Sequence, residues 1–199
     1  DKNIFPRPKP LGTILRPLLL STKKGDVVLD FFSGSSTTAH AVMQLNAEDG
    51  GNRRFIMVQI PEPCDEKSEA YKAGYRNICE IGKERIRRAG EKIKADSPLT
   101  TADLDVGFRV FKLADSNMKD VYYAADELDQ QTLADMVSNI KEDRTALDLF
   151  FGCLLDWGLP LSMPYHSEKI DGCTVHTYND GDLIACFDKN IPESVVKEI

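Results

Sequence analysis

The feature that most constrains the fold is the stretch VVLDFFSGSSTTAHAV, residues 27–42, where an apolar run containing one aspartate passes into one glycine and a cluster of hydroxyls. Residues 27–32 are typical of a strand buried in a parallel sheet. Residues 35–38 are typical of a helix start. A second apolar run, FIMVQI, follows at residues 55–60. The order strand, helix, strand predicts a parallel crossover unit and an α/β fold.

Two further helices are predicted around this unit. The first follows a proline-rich entry, and Pro17 is expected to kink it or to mark its end. Its apolar positions are Leu11, Ile14, Leu15, Leu18 and Leu19. The second is predicted over residues 77–94, with an apolar face formed by Ile78, Ile81, Ile86, Ala89 and Ile93. Its basic side chains alternate with glutamates, so we interpret them as a solvated face with ion pairs within the helix.

The stretch KADSPLTTADLD has no periodicity and predicts a linker, with a domain boundary near Pro98. We therefore expect a first domain over residues 1–97 and a smaller mixed α/β module over residues 98–199. In that module GFRVFKL, CTVHTYN and DLIACFD are predicted strands, the last two joined by a turn at NDGD. Helices are predicted at residues 128–140 and 144–157 and at PESVVKEI.

Composition restricts the class of protein. With 199 residues, 42% hydrophobic, and no long apolar run, the chain is expected to be a soluble globular protein. Its net charge of −7 argues against electrostatic binding of nucleic acid by this chain alone. The five cysteines form no C-x-x-C pair, which favours reduced thiols in the cytoplasm and no metal site. The start at Asp1 suggests a fragment, and no secretory signal is evident.

The turn after residue 32 limits the ligand. A P-loop needs a lysine before its Ser/Thr, and GSSTTA has none. A dinucleotide fingerprint needs further glycines, but those positions hold Ser36 and Ala39. A nucleoside without phosphates, such as S-adenosylmethionine, needs only main-chain amides at a helix start and polar groups at the strand ends. A generic crossover turn without a ligand is the alternative.

Three blocks in this order, FPRPKP, VVLDFFSGSSTTAHAV and NRRFIMVQIPEP, resemble the modification subunits of type III restriction-modification systems. The resemblance continues through ICEIGKERIRRAGEKI and GFRVFKLADSNMKD and covers nearly the whole chain. These subunits are adenine-specific DNA methyltransferases. The resemblance implies a partial Rossmann-like methyltransferase sheet, with S-adenosylmethionine as the cofactor.

The resemblance also implies the binding residues. Residues around the methionine and adenosine portions would be Asp30, Phe31, Phe32, Ser33, Gly34 and Ser35. Thr37 and Thr38 would open the helix beside the cofactor's carboxylate, and Lys9 and Pro10 would pack against its methionine end. Gln59 would lie at the ribose, where relatives often have an acid, with Glu62 as the nearby acidic residue.

Two departures from the family pattern matter. The family usually has a second glycine where this chain has Ser36, and a positive φ there would cost on the order of 1 kcal/mol. The chain also contains no Pro-Pro pair, so the catalytic motif Asp-Pro-Pro-Tyr of the family is absent. The resemblance thus implies a carboxyl-terminal fragment without catalytic residues, which contacts DNA only through upstream parts. Implied partners are the restriction subunit and a second modification subunit.

Two other functions remain open at this point. One is a non-catalytic assembly module with a vestigial cofactor pocket, which Ser36 and Gln59 would permit. The other is a nucleotide-dependent oxidoreductase that binds its cofactor on the same turn.

Overall fold

The computed structural model describes residues 4–5, 7–119 and 139–199. Its residues form two compact units, Asp1–Phe108 and Arg109–Ile199, called the first and the second unit below. The division falls beyond the boundary predicted near Pro98, because Leu104, Val106 and Phe108 pack on the core of the first unit. Both units combine helices and strands, which confirms the mixed α/β class.

The first unit contains four helices and two strands among its described residues. They are α1 (Leu11–Ser21), β1 (Val27–Asp30), α2 (Thr37–Asp49), β2 (Arg54–Met57), α3 (Glu69–Lys72) and α4 (Ile78–Asp96). The strands β1 and β2 pair in parallel, with Val28 beside Phe55 and Leu29 beside Ile56. The predicted strand–helix–strand unit is therefore present, with α2 as its connection.

Helix α2 lies at the centre of the first unit and is buried on two sides. One side packs with α4 through Ala39, Met43, Ile86, Ala89 and Ile93. The other side packs with α1 through Leu18, Ala41, Val42 and Leu45. Helix α1 continues past Pro17, and Leu19 is 62% exposed, so it does not share the apolar face predicted for it.

The loop from α2 to β2 is fixed by a buried arginine. The Arg53 guanidinium bonds Asp49 Oδ1 at 3.1 Å and Asp49 Oδ2 at 2.9 Å, and its Nε donates to Thr22 Oγ1 at 2.9 Å. The Asn46 side chain accepts from the Arg53 N–H and donates to the Arg53 carbonyl. Arg53 is 6% exposed, so nearly the whole side chain is removed from water.

One face of the two-stranded sheet carries exposed apolar side chains. The inward positions, such as Val28 and Phe55, contact the helices, whereas their strand neighbours point outward. The outward apolar residues are between 44% and 61% exposed: Val27, Leu29, Ile56, Val58 and Ile60. We call this set the outer sheet face.

The second unit contains an antiparallel sheet with a helix on either side. Its described elements are α5 (Ala146–Asp156), β3 (Tyr165–Ile170), β4 (Cys173–Tyr178), β5 (Leu183–Cys186) and α6 (Glu193–Glu198). The strand order is β3-β4-β5. Asp171 and Gly172, both with positive φ, form the tight turn between β3 and β4.

The two faces of this sheet have separate cores. Phe150 and Leu154 of α5 pack on Tyr178 and Leu183. On the opposite face Val195 of α6 packs on Cys173 and Val175. The predicted helix over residues 144–157, the β4–β5 pair and the final helix are confirmed. The helix predicted over residues 128–140 lies almost entirely outside the described residues.

The strand predicted at GFRVFKL is wrong. Residues 107–113 are in no strand of the structure. Side chains fix this segment instead: the Arg109 guanidinium donates to the carbonyls of Leu161 and Met163 and lies over the Tyr165 ring at 5.3 Å. The strand β3, which the sequence did not predict, is mostly exposed and polar and therefore lacks the apolar pattern of a core strand.

Among the described helices, none combines the length and the apolar character that crossing a bilayer requires.

The second unit contains a buried histidine, which is expected to make the stability of the unit depend on pH. His176 is 4% exposed, its Nδ1 lies 2.6 Å from Ser167 Oγ, and its Nε2 is buried without a partner. Burial lowers the pKa of His176 from its ordinary value of 6.5. The unfolded chain therefore binds a proton on this side chain at a pH where the folded chain does not. We expect stability to be full above pH 6.5 and to fall as the pH decreases below it.

The measurement is chemical denaturation at several pH values for the parent chain and for His176→Phe. The variant should lose part of the acid-dependent decrease, whereas His166→Gln, whose histidine is 64% exposed in its side chain, should keep it. His40 has a pKa lowered by burial, Arg85 and Lys92, so both chains retain its contribution. An unchanged slope in His176→Phe would show that this histidine does not control the acid response.

Candidate functional site

The candidate site is the turn of residues 31–36, which leaves β1 at the carboxyl end of the parallel sheet and enters α2. Its backbone is left-handed at two positions, with φ 51° at Gly34 and φ 58° at Ser36. Ser36 therefore has the positive φ considered in the sequence analysis. For a non-glycine residue this conformation costs on the order of 1 kcal/mol. Ser36 precedes α2, and its side chain makes no capping hydrogen bond to the helix.

Asp30 holds the two ends of the turn together. Its Oδ2 accepts from Thr38 Oγ1 at 2.6 Å, and its Oδ1 accepts from the Phe32 N–H at 3.2 Å. The carboxylate thus connects the last residue of β1 to the first turn of α2. Its role in the described chain is to fix the shape of the turn.

Gln59 connects the same turn to the end of the second strand. Its Oε1 accepts from the Gly34 N–H at 2.8 Å, and its Nε2 donates to the Ile60 carbonyl at 3.1 Å. The Ser33 N–H also donates to the Val58 carbonyl at 3.2 Å. Because both ends of the Gln59 amide are bonded to main chain, a ribose would have to compete with these bonds.

The hydroxyl side chains of the turn point into the protein. Ser33, Ser35, Ser36 and Thr37 are each no more than 8% exposed. Helix α4 covers them: Arg85 Nη1 donates to Ser35 Oγ at 3.0 Å. A Cβ atom at Gly82 would lie 2.6 Å from Ser36 Oγ and 3.3 Å from the Gly34 carbonyl oxygen. Gly82 therefore allows α4 to approach the turn, and the hydroxyls serve packing.

The surface of the turn is aromatic. Phe31 is 63% exposed and Phe32 is 80% exposed. What the turn presents to a ligand is therefore an apolar surface, since the N–H groups of Phe32, Ser33 and Gly34 are already bonded within the chain. Ligands of open α/β sheets bind at this edge, beyond the carboxyl ends of the strands.

The entry segment also reaches the turn, but through a residue that sequence reasoning did not select. The Phe5 ring lies against Gly34, where an added Cβ would be 3.3 Å from its Cζ. Lys9 and Pro10, which the resemblance implied, are exposed, and Pro10 directly precedes α1. An aromatic residue at the start of the FPRPKP block was the signal available for this contact.

Glu62 also lacks the role that the resemblance implied, as the acidic residue near the ribose. Its side chain is exposed, and its described contacts are made by main chain: its N–H donates to the Ile60 carbonyl, and its carbonyl accepts from the Ile78 N–H. Among the predicted residues, the structure thus joins Asp30 to Thr38 and Gly34 to Gln59 by direct hydrogen bonds. It does not bring the Lys9 and Glu62 side chains into that network.

Two cavities in the described part of the chain lie away from the turn. One, of about 340 Å³, is lined by residues of α1, α2 and α4, including Leu15, His40 and Lys92. The other, of about 540 Å³, lies along α1 from Pro10 to Pro17. Neither is lined by residues 31–36.

Comparison with known proteins supports the resemblance. Residues 1–91 match a family model described as DNA methylase. The StyLTI Mod subunit of a type III restriction-modification enzyme from Salmonella typhimurium is 48% identical over 112 residues, covering 56% of this chain and 17% of that protein. The EcoPI Mod subunit from Escherichia phage P1 is 36% identical over 178 residues, covering 88% of this chain and 26% of that protein.

A type II methyltransferase, M.KpnI from Klebsiella pneumoniae, is 40% identical over 83 residues, or 42% of this chain and 20% of that protein. The chain thus spans between 17% and 26% of the length of these relatives. The resemblance recognised from the three sequence blocks is confirmed: the chain is a relative of the modification subunits of type III restriction-modification enzymes and corresponds to a part of them.

Proposed function

We propose that this chain supplies the S-adenosylmethionine-binding part of a DNA methyltransferase of a restriction-modification system. The observation that carries the proposal is the turn itself, a left-handed bend at the carboxyl end of β1 with exposed Phe31 and Phe32. It leads into a helix whose start has no side-chain cap. The relatives named as methyltransferase and Mod subunits support the same assignment.

The residues present fit the cofactor by their chemistry. The turn contains no lysine or arginine of its own, which suits a nucleoside without phosphates. The amino end of α2 carries partial positive charge from its free N–H groups and would attract a carboxylate. Phe31 and Phe32 would cover the apolar parts of the nucleoside. The bound cofactor would supply a methyl group on a sulfonium, ready for attack by an amine.

For the parent protein we propose transfer of that methyl group to the exocyclic amine of adenine in DNA. The sequence lacks the Asp-Pro-Pro-Tyr-like motif that would grip the base, so in this proposal the chain is inactive alone. Because the chain has a net charge of −7, we expect other parts of the parent protein to make the DNA contacts. A Rossmann-like sheet completed by further strands, a cytoplasmic location and partners in a restriction subunit and a second modification subunit belong to the same proposal.

A second function, a non-catalytic assembly module, is favoured by one observation. The groups that would bind a ribose and a carboxylate are already in use, since Gln59 bonds Gly34 and Ile60 and the hydroxyls are buried. A well-folded chain that binds no nucleoside would be explained by this alternative.

The test is calorimetric titration of the chain with S-adenosylmethionine and, separately, with NADH. We expect binding of the first and none of the second. Phe32→Ala should weaken S-adenosylmethionine binding at least about fivefold, because one aromatic contact contributes about 1 kcal/mol beyond its buried area. Leu99→Ala, which removes a side chain that is 96% exposed in the same unit, is the matched control and should bind S-adenosylmethionine like the unsubstituted chain.

Three results would contradict the proposal. They are NADH binding in place of S-adenosylmethionine, equal affinity in Phe32→Ala and the parent chain, and a folded chain with no affinity for either ligand. The last of these would favour the assembly module. For the reaction, the parent protein is assayed for transfer of labelled methyl groups to DNA, and label in cytosine rather than adenine would refute the base assignment.

A further inference from the structure

Three side chains with metal-binding atoms meet on one face of the sheet in the second unit. They are Cys173 at the start of β4, Cys186 at the end of β5 and Asp188 just after it. One ligand atom from each, two sulfurs and a carboxylate oxygen, lies within 4.8 Å of the others. Zinc–sulfur bonds are about 2.3 Å and zinc–oxygen bonds about 2.0–2.2 Å, so two ligands of one ion lie at most about 4.5 Å apart, and small side-chain rotations would bring these three atoms onto one ion.

The strand register explains this convergence. Val175 of β4 pairs with Cys186 of β5, so these two side chains point to the same face. Cys173 precedes Val175 by two residues and shares that face, since side chains alternate along a strand. Asp188 lies beyond the end of β5, where its carboxylate accepts from the Thr174 N–H. The sheet and this hydrogen bond therefore position all three groups before any ion is present.

The surroundings favour a cation. Cys173 is buried, Cys186 is partly buried and Asp188 is exposed, so the cluster is closed by protein on one side and open to water on the other. Val195 of α6 packs beside Cys173 and closes the apolar side.

We propose that Cys173, Cys186 and Asp188 form a site for a soft divalent cation such as Zn²⁺, with water as the fourth ligand. Thiolates select zinc-like ions over Mg²⁺ and Ca²⁺, which prefer sites made only of oxygen ligands. Binding releases one proton from each thiol and breaks no covalent bond between heavy atoms. The ion would tie the start of β4 to the end of β5 and stabilise the second unit.

The linear sequence does not reveal this site. The cysteines are separated by twelve residues and neither belongs to a C-x-x-C pair, and His176, three positions after Cys173, lies on the opposite face of β4. This spacing led to the expectation of no metal. Only the antiparallel register of β4 and β5 brings the two thiols together.

The test uses the 199-residue chain, reduced and stripped of metal with a chelator, and titrated with Co²⁺ in the absence of air. We expect one equivalent to produce a sulfur-to-cobalt charge-transfer band and the intense visible bands of tetrahedral Co²⁺. Addition of Zn²⁺ should remove these bands and raise the melting temperature. A folded chain without a charge-transfer band would overturn the proposal.

Variants identify the ligands. Removing a group that only orients a metal ligand lowers metal affinity about 10–100-fold. Because Cys186 is proposed to bind the ion directly, Cys186→Ser should lower metal affinity more than about 100-fold. Asp188→Asn should also weaken metal binding. Because it leaves the buried Cys173 unchanged, this variant replaces Cys173→Ser as a test if Cys173→Ser does not fold. Cys64→Ser and Cys153→Ser, whose thiols lie elsewhere in the chain, should retain the band. A full band in Cys186→Ser, or its loss in Cys64→Ser or Cys153→Ser, would refute the assignment.

Discussion

Arg53→Ala is expected to lower the free energy of unfolding by about 3 kcal/mol, because it breaks a buried ion pair by removing one partner. The guanidinium bonds both carboxylate oxygens of Asp49 and the Thr22 hydroxyl, and its side chain is only 4% exposed. Without it the Asp49 carboxylate, which is 30% exposed, would remain partly buried without its cation. The measurement is urea denaturation followed by far-ultraviolet circular dichroism.

An exposed ion pair in the same unit is the matched control. Lys72 Nζ lies 2.7 Å from Glu69 Oε1, and both side chains are 61% exposed. Lys72→Ala should cost less than about 1 kcal/mol, as exposed pairs usually do. Arg53→Lys keeps the charge but loses the planar two-nitrogen contact, and it should fall between the two. Equal losses in Arg53→Ala and Lys72→Ala would mean that the buried network adds nothing to stability.

The same network predicts an acid response. The hydrogen bond from Arg53 lowers the pKa of Asp49 below its ordinary value of 3.8. This contribution to stability is present above the unfolded-state pKa and is lost as the pH falls through the lower folded-state pKa. Stability measured at acidic pH should therefore converge for the parent chain and Arg53→Ala.

Gly82→Ala is expected to lower the free energy of unfolding by about 1–2 kcal/mol, although alanine favours helices over glycine by about 1 kcal/mol. The added Cβ would lie 2.6 Å from Ser36 Oγ and 3.3 Å from the Gly34 carbonyl oxygen, so α4 would have to move away from the turn. The control is Gly12→Ala in α1, where nothing lies within 4 Å of the added carbon. That variant should gain up to about 1 kcal/mol.

A double-mutant cycle identifies the contact. Ser36→Gly removes the hydroxyl that the Gly82 Cβ would meet, and it also relieves the left-handed strain of a non-glycine residue. In the Ser36→Gly background, Gly82→Ala should therefore cost at least about 1 kcal/mol less than in the parent chain. Additive effects would show that the approach of α4 to the turn is set by other atoms.

The sequence predicts correctly those elements that have a clear local pattern of apolar residues. The apolar runs at residues 27–32 and 55–60 located β1 and β2, because strands of parallel sheets are rich in apolar residues. The expected burial was wrong, since the outer sheet face and residues 31–32 are exposed in the described chain. The polar strand β3 gave no such signal, since most of its residues are exposed. GFRVFKL has the alternation of a strand, but the Arg109 side chain donates to the Leu161 carbonyl and the Phe111 ring packs on the Phe151 ring, and neither residue is in a strand.

For the candidate site, the sequence located the turn and anticipated the strain at Ser36. The direction of the hydroxyls could not be predicted, because it depends on Gly82 and Arg85, residues of a helix nearly fifty positions further along the chain. The role of Gln59 was likewise decided by tertiary geometry, in which its amide meets the Gly34 N–H. Residue type identifies what a side chain can bind, while packing decides which partner it reaches.

The outer sheet face has a practical consequence for any work on the separate chain. Strands β1 and β2 pair only with each other among the described strands, and their outward side chains are apolar. The unpaired edge of each strand is a template on which a second molecule can add a strand, and the apolar face favours association by burial; concentration promotes both. Affinities should therefore be taken from a dilution series and extrapolated to low protein concentration, where aggregation no longer competes with ligand.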